Sequence, residues 1–366
     1  MKWDFAIGNP PYQESGTTNN KAEAIYPLFY EGAESIAEKY LLISPARFLF
    51  NAGLTPKAWN EKMLSDEHVR LKKYYYNSAE VFPNTSINGG VAIVYRDSKK
   101  KYKPIDDFIP DENLRRIAER FEKDEEKNMS SIMYGGRSDL KFNDLFLREF
   151  PDTKERILKS LQKKHPEIKV LGPNEEYEIK SSSFERTPYA FIETEPKDKE
   201  NYYKILGIEN GKRTYKWIKR KYLSPRYPDH NNIEFYKIFI AKADGAAGTI
   251  GKPVPARVLG KPVVAEPGVS SFPSFISIGN FETKQEALNA EKYIKTKFAR
   301  TLFGILKVTQ DVTPAKWAYV PLQDFTSHSD INWSTSIANI DKQLYKKYGL
   351  SREEINFIES YVKEME

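Results

Sequence analysis

The sequence predicts an α/β chain in two parts: an open, largely parallel sheet at the front and an α+β region behind it. Three observations carry that prediction. The first hundred residues alternate short apolar runs with stretches of helical periodicity, as strand–helix–strand crossovers do. From about residue 135 the texture changes to short strands, turns and charge, punctuated by Gly245, Gly248, Gly251, Gly260 and Gly268. A stiff elbow, Asn9-Pro10-Pro11-Tyr12, follows the first apolar run. It stands at the C-terminal end of a strand, where ligands of open α/β sheets bind.

Trp3 to Ile7 reads as a buried strand, since aromatic and β-branched residues suit a pleated surface. Gly8 ends it. Each proline fixes its own φ and restricts its predecessor, so Asn9 and Pro10 are held extended. Gln13 to Asn20 is polar loop, and Asn20 with Glu23 forms a capping-type helix start. Ile25, Leu28, Phe29, Gly32, Ala33, Ile36 and Ala37 recur at helical spacing, and Tyr40 to Ser44 is the next strand. Together these make a crossover unit of a parallel sheet. Residues 55–67 read as helix, Val69 to Tyr76 as a strand rich in Tyr and Lys, and Gly90 to Tyr95 as its antiparallel partner at the sheet's edge. A charged stretch, 111–127, reads as a solvated linker helix with Leu114, Ile117, Ala118 and Phe121 on one side. Further strands are expected at Tyr189 to Ile192, Phe235 to Ala241, Ala256 to Leu259 and Phe275 to Ile278. A helix starts at Phe281 and runs to about Phe303, and Ser351 with Glu354 opens a terminal helix through a capping box.

At 366 residues the chain suffices for two ordinary cores. Its net charge of +6 makes phosphate-bearing partners plausible without demanding them. With no Cys there is neither a disulfide framework nor a thiolate metal site. The four His (His68, His165, His230 and His328) are scattered, which argues against an imidazole metal cluster or a Ser-His-Asp triad. No run approaches ~20 apolar residues, and the N-terminus lacks a signal-peptide core, so a cytoplasmic protein with no membrane partner is expected.

The Asn9-Pro10-Pro11-Tyr12 motif after a strand resembles the catalytic motif of amino-group DNA methyltransferases, the adenine-N6 type (the NPPY, gamma-type class) in particular. The chemistry accounts for the residue types. An exocyclic base amine is a poor nucleophile because its lone pair is conjugated with the ring. Two acceptors on its hydrogens, the Asn9 side-chain oxygen and the Pro10 carbonyl, favour a pyramidal nitrogen that can attack the sulfonium methyl of S-adenosylmethionine. The resemblance implies a flipped-out adenine, with Tyr12 stacked on the base. Val81-Phe82-Pro83-Asn84 before Gly89-Gly90 resembles a later motif of the same family, which makes Phe82 the opposing base-stacking ring; taken alone it is more often a core Phe. Ser44 to Leu49 resembles the segment after the family's next strand, as wall and scaffold.

The C-terminal part resembles the target-recognition region of large, fused type II restriction–modification methyltransferases. The similar pieces include Ala241 to Ala246, Lys307 to Gln310, Val320 to Phe325, Ser329 to Trp333 and Tyr345 to Leu350. The implied organisation is a partial Rossmann-like methyltransferase sheet over 1–108, a charged linker over 109–134, an α+β target-recognition domain over 135–325 and a helical segment over 326–366. The densest DNA-facing candidate is a basic run with interleaved aromatics, carrying Lys212, Arg213, Lys216, Trp217, Lys219, Arg220 and Lys221, with Arg226 beyond; Lys242 and Lys252 flank a glycine-rich loop. Such a run is often just a solvated strand face.

The family's methyl-donor site uses a glycine-rich turn and an acidic residue that, in this class, precede the NPPY strand. The expectation is therefore a fragment or split subunit, inactive alone. Its S-adenosylmethionine site would be incomplete, and its partners would be double-stranded DNA and an N-terminal methyltransferase half or an upstream nuclease or translocase region. Two alternatives stand beside it. One is a non-catalytic DNA-binding specificity protein. The other is a nuclease built on Pro151-Asp152 and Glu167-Ile168-Lys169, which superficially match a PD…ExK metal site.

Overall fold

The computed structural model describes residues 2–365 apart from 14–22, 52–54, 88, 122, 124–126, 136, 164, 228–231, 246–253 and 308–309. The expected Gln13–Asn20 loop (all but its first residue), the Asn20 cap, Lys252 and most of the glycine-rich loop lie outside the described residues. The chain divides into two compact units, Met1–Arg116 and Ile117–Glu366.

The first unit runs β1 (Ala6–Gly8), α1 (Tyr26–Ile36), β2 (Lys39–Pro45), α2 (Lys57–Ser65), β3 (Val69–Tyr75) and β4 (Val91–Asp97), and ends within α3 (Glu112–Ala118). Its sheet has the order β1-β2-β4-β3. β1 and β2 are parallel, with Ala6 opposite Tyr40 and Gly8 opposite Leu42, so the predicted crossover through α1 is present. β4 is antiparallel to both β2 and β3. Hence β1, β2 and β3 all point the same way, and their C-terminal ends share one rim. The predicted hairpin of β3 and β4 stands at the sheet's edge.

One face of this sheet is covered. Tyr40, Leu42, Val69, Ala92 and Val94 pack with Tyr26, Tyr30, Phe48, Trp59 and Met63. Rings carry much of that core: Tyr30 meets Tyr40 at 5.5 Å and Trp59 at 5.5 Å between centroids, both edge-on, an arrangement aromatic pairs favour. The Tyr30 hydroxyl is satisfied at 2.9 Å by Ser44 Oγ. The opposite face is less covered: Leu41, Ile43, Ile93 and Tyr95 are half-buried, and Phe5 and Ile7 are exposed. The expectation of a buried first strand is corrected accordingly. Trp3 is 74% and Ile7 75% exposed, and only Ala6 packs against the core. Trp3 joins the unit through its backbone, bridged to Ala37. α3 is also shorter than the expected 111–127 helix and is not a solvated rod, for Leu114, Ile117 and Ala118 are buried.

The second unit holds β5 (Met133–Tyr134), β6 (Leu140–Phe142), α4 (Asp144–Glu149), α5 (Thr153–Gln162), α6 (Ser183–Arg186), β7 (Tyr202–Glu209), β8 (Lys212–Lys219), β9 (Leu223–Pro225), β10 (Tyr236–Ala241), β11 (Val263–Ala265), β12 (Val269–Ser271), β13 (Phe275–Phe281), α7 (Lys284–Lys295), α8 (Lys297–Leu306), α9 (Ile337–Lys347) and α10 (Arg352–Tyr361). Its strands form small sheets of order β11-β10-β13-β5, β12-β7-β8 and β6-β9. The architecture of the chain is thus mixed α/β. Tyr189 to Ile192 is not a strand: a short 3-10 turn, Pro188–Ala190, leads to an isolated bridge from Ile192 to Trp217. Ala256 to Leu259 also forms no strand, joining only through a bridge from Ala256 to Val362. The single helix expected from Phe281 is two. Thr283 caps α7, and Thr296 ends it and caps α8 with its hydroxyl on the Ala299 N–H at 3.1 Å. The Ser351–Glu354 capping box is present in full.

Candidate catalytic site

β1 ends at Gly8, and the elbow follows on the rim where β1, β2 and β3 end. Asn9 and Pro11 are exposed, Pro10 is buried, and Tyr12 is half-buried. Pro10 thereby anchors the elbow while its neighbours face outward. The Tyr12 carbonyl accepts from the Ile25 N–H at 3.2 Å, which ties the elbow to the start of α1.

Tyr12 folds back on Asn9, its hydroxyl donating to Asn9 Oδ1 at 2.7 Å. An amide oxygen has two acceptor lone pairs, so one remains open to an incoming N–H. Burial raises the Tyr12 phenol above its ordinary range, so it stays protonated and remains a donor. Phe82 lies across from it, with ring centroids 6.4 Å apart and planes at 67°. The two residues predicted to hold a base are therefore brought together from distant parts of the unit's sequence.

Phe82 is placed by a tight turn. The Asn77 side chain caps Ser78–Glu80, and the Phe82 N–H donates to the Ser78 carbonyl at 2.8 Å. Ser78 Oγ donates to the Thr85 carbonyl at 2.7 Å and accepts from the Ile87 N–H at 2.9 Å, closing the loop. The chain then returns through Gly90, whose carbonyl accepts from the Ala46 N–H at 2.9 Å. That bond joins the Phe82 loop to the Ser44-Pro45-Ala46-Arg47 segment after β2, the predicted wall.

The described residues around the elbow lack the elements of a methyl-donor site. Among the described residues no glycine-rich strand-to-helix turn stands beside β1, and the free side of β1 is unpaired.

The basic run of the second unit is largely engaged. β8 alternates, turning Lys216 and Ile218 inward and leaving Lys212, Arg213 and Lys219 exposed. Lys216 is 8% exposed and binds Glu209 at 2.8 Å and Glu193 at 3.2 Å. Lys221 binds Glu149 at 2.7 Å, and Arg226 grips Glu178 through both terminal nitrogens at 3.1 and 2.9 Å. Arg213 donates to the Lys261 carbonyl and Arg220 to the Tyr202 carbonyl. Trp217 is half-buried, bridged to Ile192, with the Lys204 ammonium 5.3 Å from its ring centroid. Lys242 is half-buried, its backbone bonded to Ser274 and Val312. The run carries no acid in sequence, but among the described residues the fold brings five carboxylates to it and to Arg226: Glu149, Glu178, Glu193, Glu209 and, at 3.8 Å from Arg220, Glu234.

The residues of the nuclease alternative do not converge. Asp152 pairs with Arg156 at 2.6 Å, and Glu167 lies 3.4 Å from His165. No group of three His, Cys, Asp or Glu able to hold a metal occurs among the described residues. No helix among them is long and apolar enough to cross a membrane.

Residues 1–82 match the model of the Eco57I restriction-modification methylase family. The matched span begins at the elbow's strand and ends on Phe82. The chain is also 34% identical, over 95 residues, to an uncharacterized adenine-specific methylase of Mycoplasma pneumoniae. That alignment covers 25% of this chain and 22% of the relative, so the chain spans only part of the curated protein it matches. The resemblance to restriction-modification methylases thus holds over residues 1–82. Among solved structures, the type IIL restriction-modification enzyme MmeI in complex with DNA aligns over 98% of this chain and 57% of its own, at 12% identity and a TM-score of 0.34.

Proposed function

We propose that this chain supplies the base-accepting side of an adenine-N6 DNA methyltransferase of a restriction–modification system, on a partial Rossmann-like sheet. The observation that carries the proposal is the Asn9–Tyr12 elbow at a strand's C-terminal end, with Phe82 opposite Tyr12 at 6.4 Å. In this reading a flipped adenine enters between the two rings, which turn from edge-on toward parallel to sandwich it; such stacks are worth about 1–3 kcal/mol per base. The open lone pair of Asn9 Oδ1 and the Pro10 carbonyl accept the two amine hydrogens and hold the nitrogen's lone pair outward. S-adenosylmethionine, when bound, supplies the methyl group. Its site is completed by an N-terminal methyltransferase half that adds to the free side of β1, where Trp3, Phe5 and Ile7 are exposed. The second unit acts as the target-recognition domain, presenting Lys212, Arg213 and Lys219 to DNA.

The test is methyl transfer to unmethylated duplex DNA, read as N6-methyladenine by mass spectrometry. The chain alone is expected to give none. Co-expression with a methyltransferase N-terminal half restores it, and Asn9→Ala then abolishes it while leaving DNA affinity within about twofold of wild type. DNA binding without methylation in the co-expressed sample would favour a specificity protein instead. An Asn9→Ala variant that still methylates would remove the elbow from the chemistry.

A further inference from the structure

β3 is an edge strand with the sequence Val69-Arg70-Leu71-Lys72-Lys73-Tyr74-Tyr75. Strict alternation would set Arg70 and Lys73 on opposite faces of the sheet. The pairing with β4 prevents this. Arg70 stands opposite Tyr95 and Lys73 opposite Ile93, with the register shifted between Leu71 and Lys73. Tyr95 and Ile93 are two residues apart and share a face, so the bulge brings Arg70 and Lys73 to that same face; re-aiming side chains is what such bulges do. The extra residue, Lys72, lies there too, its ammonium 4.8 Å from the Tyr95 ring centroid. Arg70 sits over Tyr102 at 5.0 Å and over Tyr95 at 5.7 Å, and Lys73 over Tyr75 at 5.1 Å.

All three cations are exposed, and none makes an ion pair with a carboxylate among the described residues. This contrasts with Lys216, Lys221 and Arg226, which are all neutralised in place. Edge strands often carry a charge to deter pairing. That purpose does not require three cations on one face, each resting on a tyrosine. The strip also has a direction. β3 runs to the rim that bears the elbow, and the turn after it holds Phe82 against Tyr12.

We propose that Arg70, Lys72 and Lys73, backed by Tyr75, Tyr95 and Tyr102, form a nucleic-acid backbone track on the first unit. It holds the phosphates of the strand whose base enters the elbow. The inference rests on the reading of this chain as DNA-acting and adds a contact surface on the catalytic side. Exposed cations beside aromatic rings suit a sugar–phosphate chain, whose charges repeat along its length, better than an isolated anion. A second copy of this chain is disfavoured as occupant, because it would present the same uncompensated cations.

The test is fluorescence anisotropy of a short labelled duplex with the full chain, from about 0.05 to about 0.2 M NaCl, where each phosphate contact contributes ~0.9 to the logarithmic salt slope. Changing Arg70→Gln, Lys72→Gln and Lys73→Gln together is expected to lower the slope by about 2–3, and each single change by about 1. Lys72→Arg keeps the slope, and melting curves verify that each variant is folded. If the wild type binds DNA and the triple variant keeps its slope, the track is overturned while the DNA reading stands. If the wild type shows no salt-dependent binding, both fall. If polyglutamate competes as well as DNA and depends on the same three residues, the strip belongs to an acidic protein partner.

Discussion

The hydroxyl of Tyr12 rests on the oxygen that the proposed chemistry uses. Asn9 Oδ1 is thus satisfied and aimed before any base arrives, so its rotamer entropy is spent in folding. The motif's residues were legible in the sequence, and so was the pairing of Tyr12 with Phe82. That hydrogen bond was not, because it depends on how far the elbow folds back. The return of the Phe82 loop is equally a matter of single atoms. Gly90 has φ +80°, and a Cβ there would stand 2.2 Å from the Tyr75 carbonyl oxygen, a backbone atom that cannot step aside. Gly90→Ala should therefore destabilise the first unit by more than ~2 kcal/mol through combined strain and overlap. Thermal melting measures this, and a shift within error would show that the loop relaxes without cost.

At the scale of elements, β1 carries the motif yet does little to hold the unit together. It is three residues long and paired on one side only, and Ile7 within it and Trp3 before it are among the most exposed apolar groups of the described residues. Ile7→Lys is expected to change unfolding free energy by less than about 0.5 kcal/mol, as exposed substitutions do. It should also reduce concentration-dependent light scattering, since it places a charge on an open apolar edge. A large loss of stability would mean that Ile7 is buried in solution. The sequence named this strand but misjudged its burial, because an apolar run looks the same at an edge as in a core. Tyr189 to Ile192 misled in the same way: Tyr189, Ala190 and Phe191 are buried or half-buried and Ile192 is exposed, but the backbone is a short 3-10 turn followed by a single bridge. Features encoded within three or four residues, such as the Ser351–Glu354 box, read correctly.

At the scale of the whole molecule, what the sequence hid was which charges find partners. Lys237 reads as one more basic residue but is fully buried, its ammonium donating to the carbonyls of Ile233, Val269 and Glu266. Burial pulls it down to about 8. Between that value and its ordinary one, the unfolded chain binds the proton and the folded chain does not. Stability of the second unit should therefore rise as pH increases from about 8 to about 10, by up to about 3 kcal/mol from this group. Lys237→Met should flatten the rise, measured by urea unfolding at fixed pH steps; an unchanged slope would place its origin elsewhere. The ion pairs of the basic run have a different consequence. Glu209, Glu178 and Glu149 act as resident counterions for Lys216, Arg226 and Lys221. A phosphate that displaces one of them frees a carboxylate still tethered to the protein rather than a salt ion that diffuses away. Under the proposed function, a DNA contact made by Lys221 or Arg226 is such an internal exchange of partners, set by fit more than by the ionic strength around it.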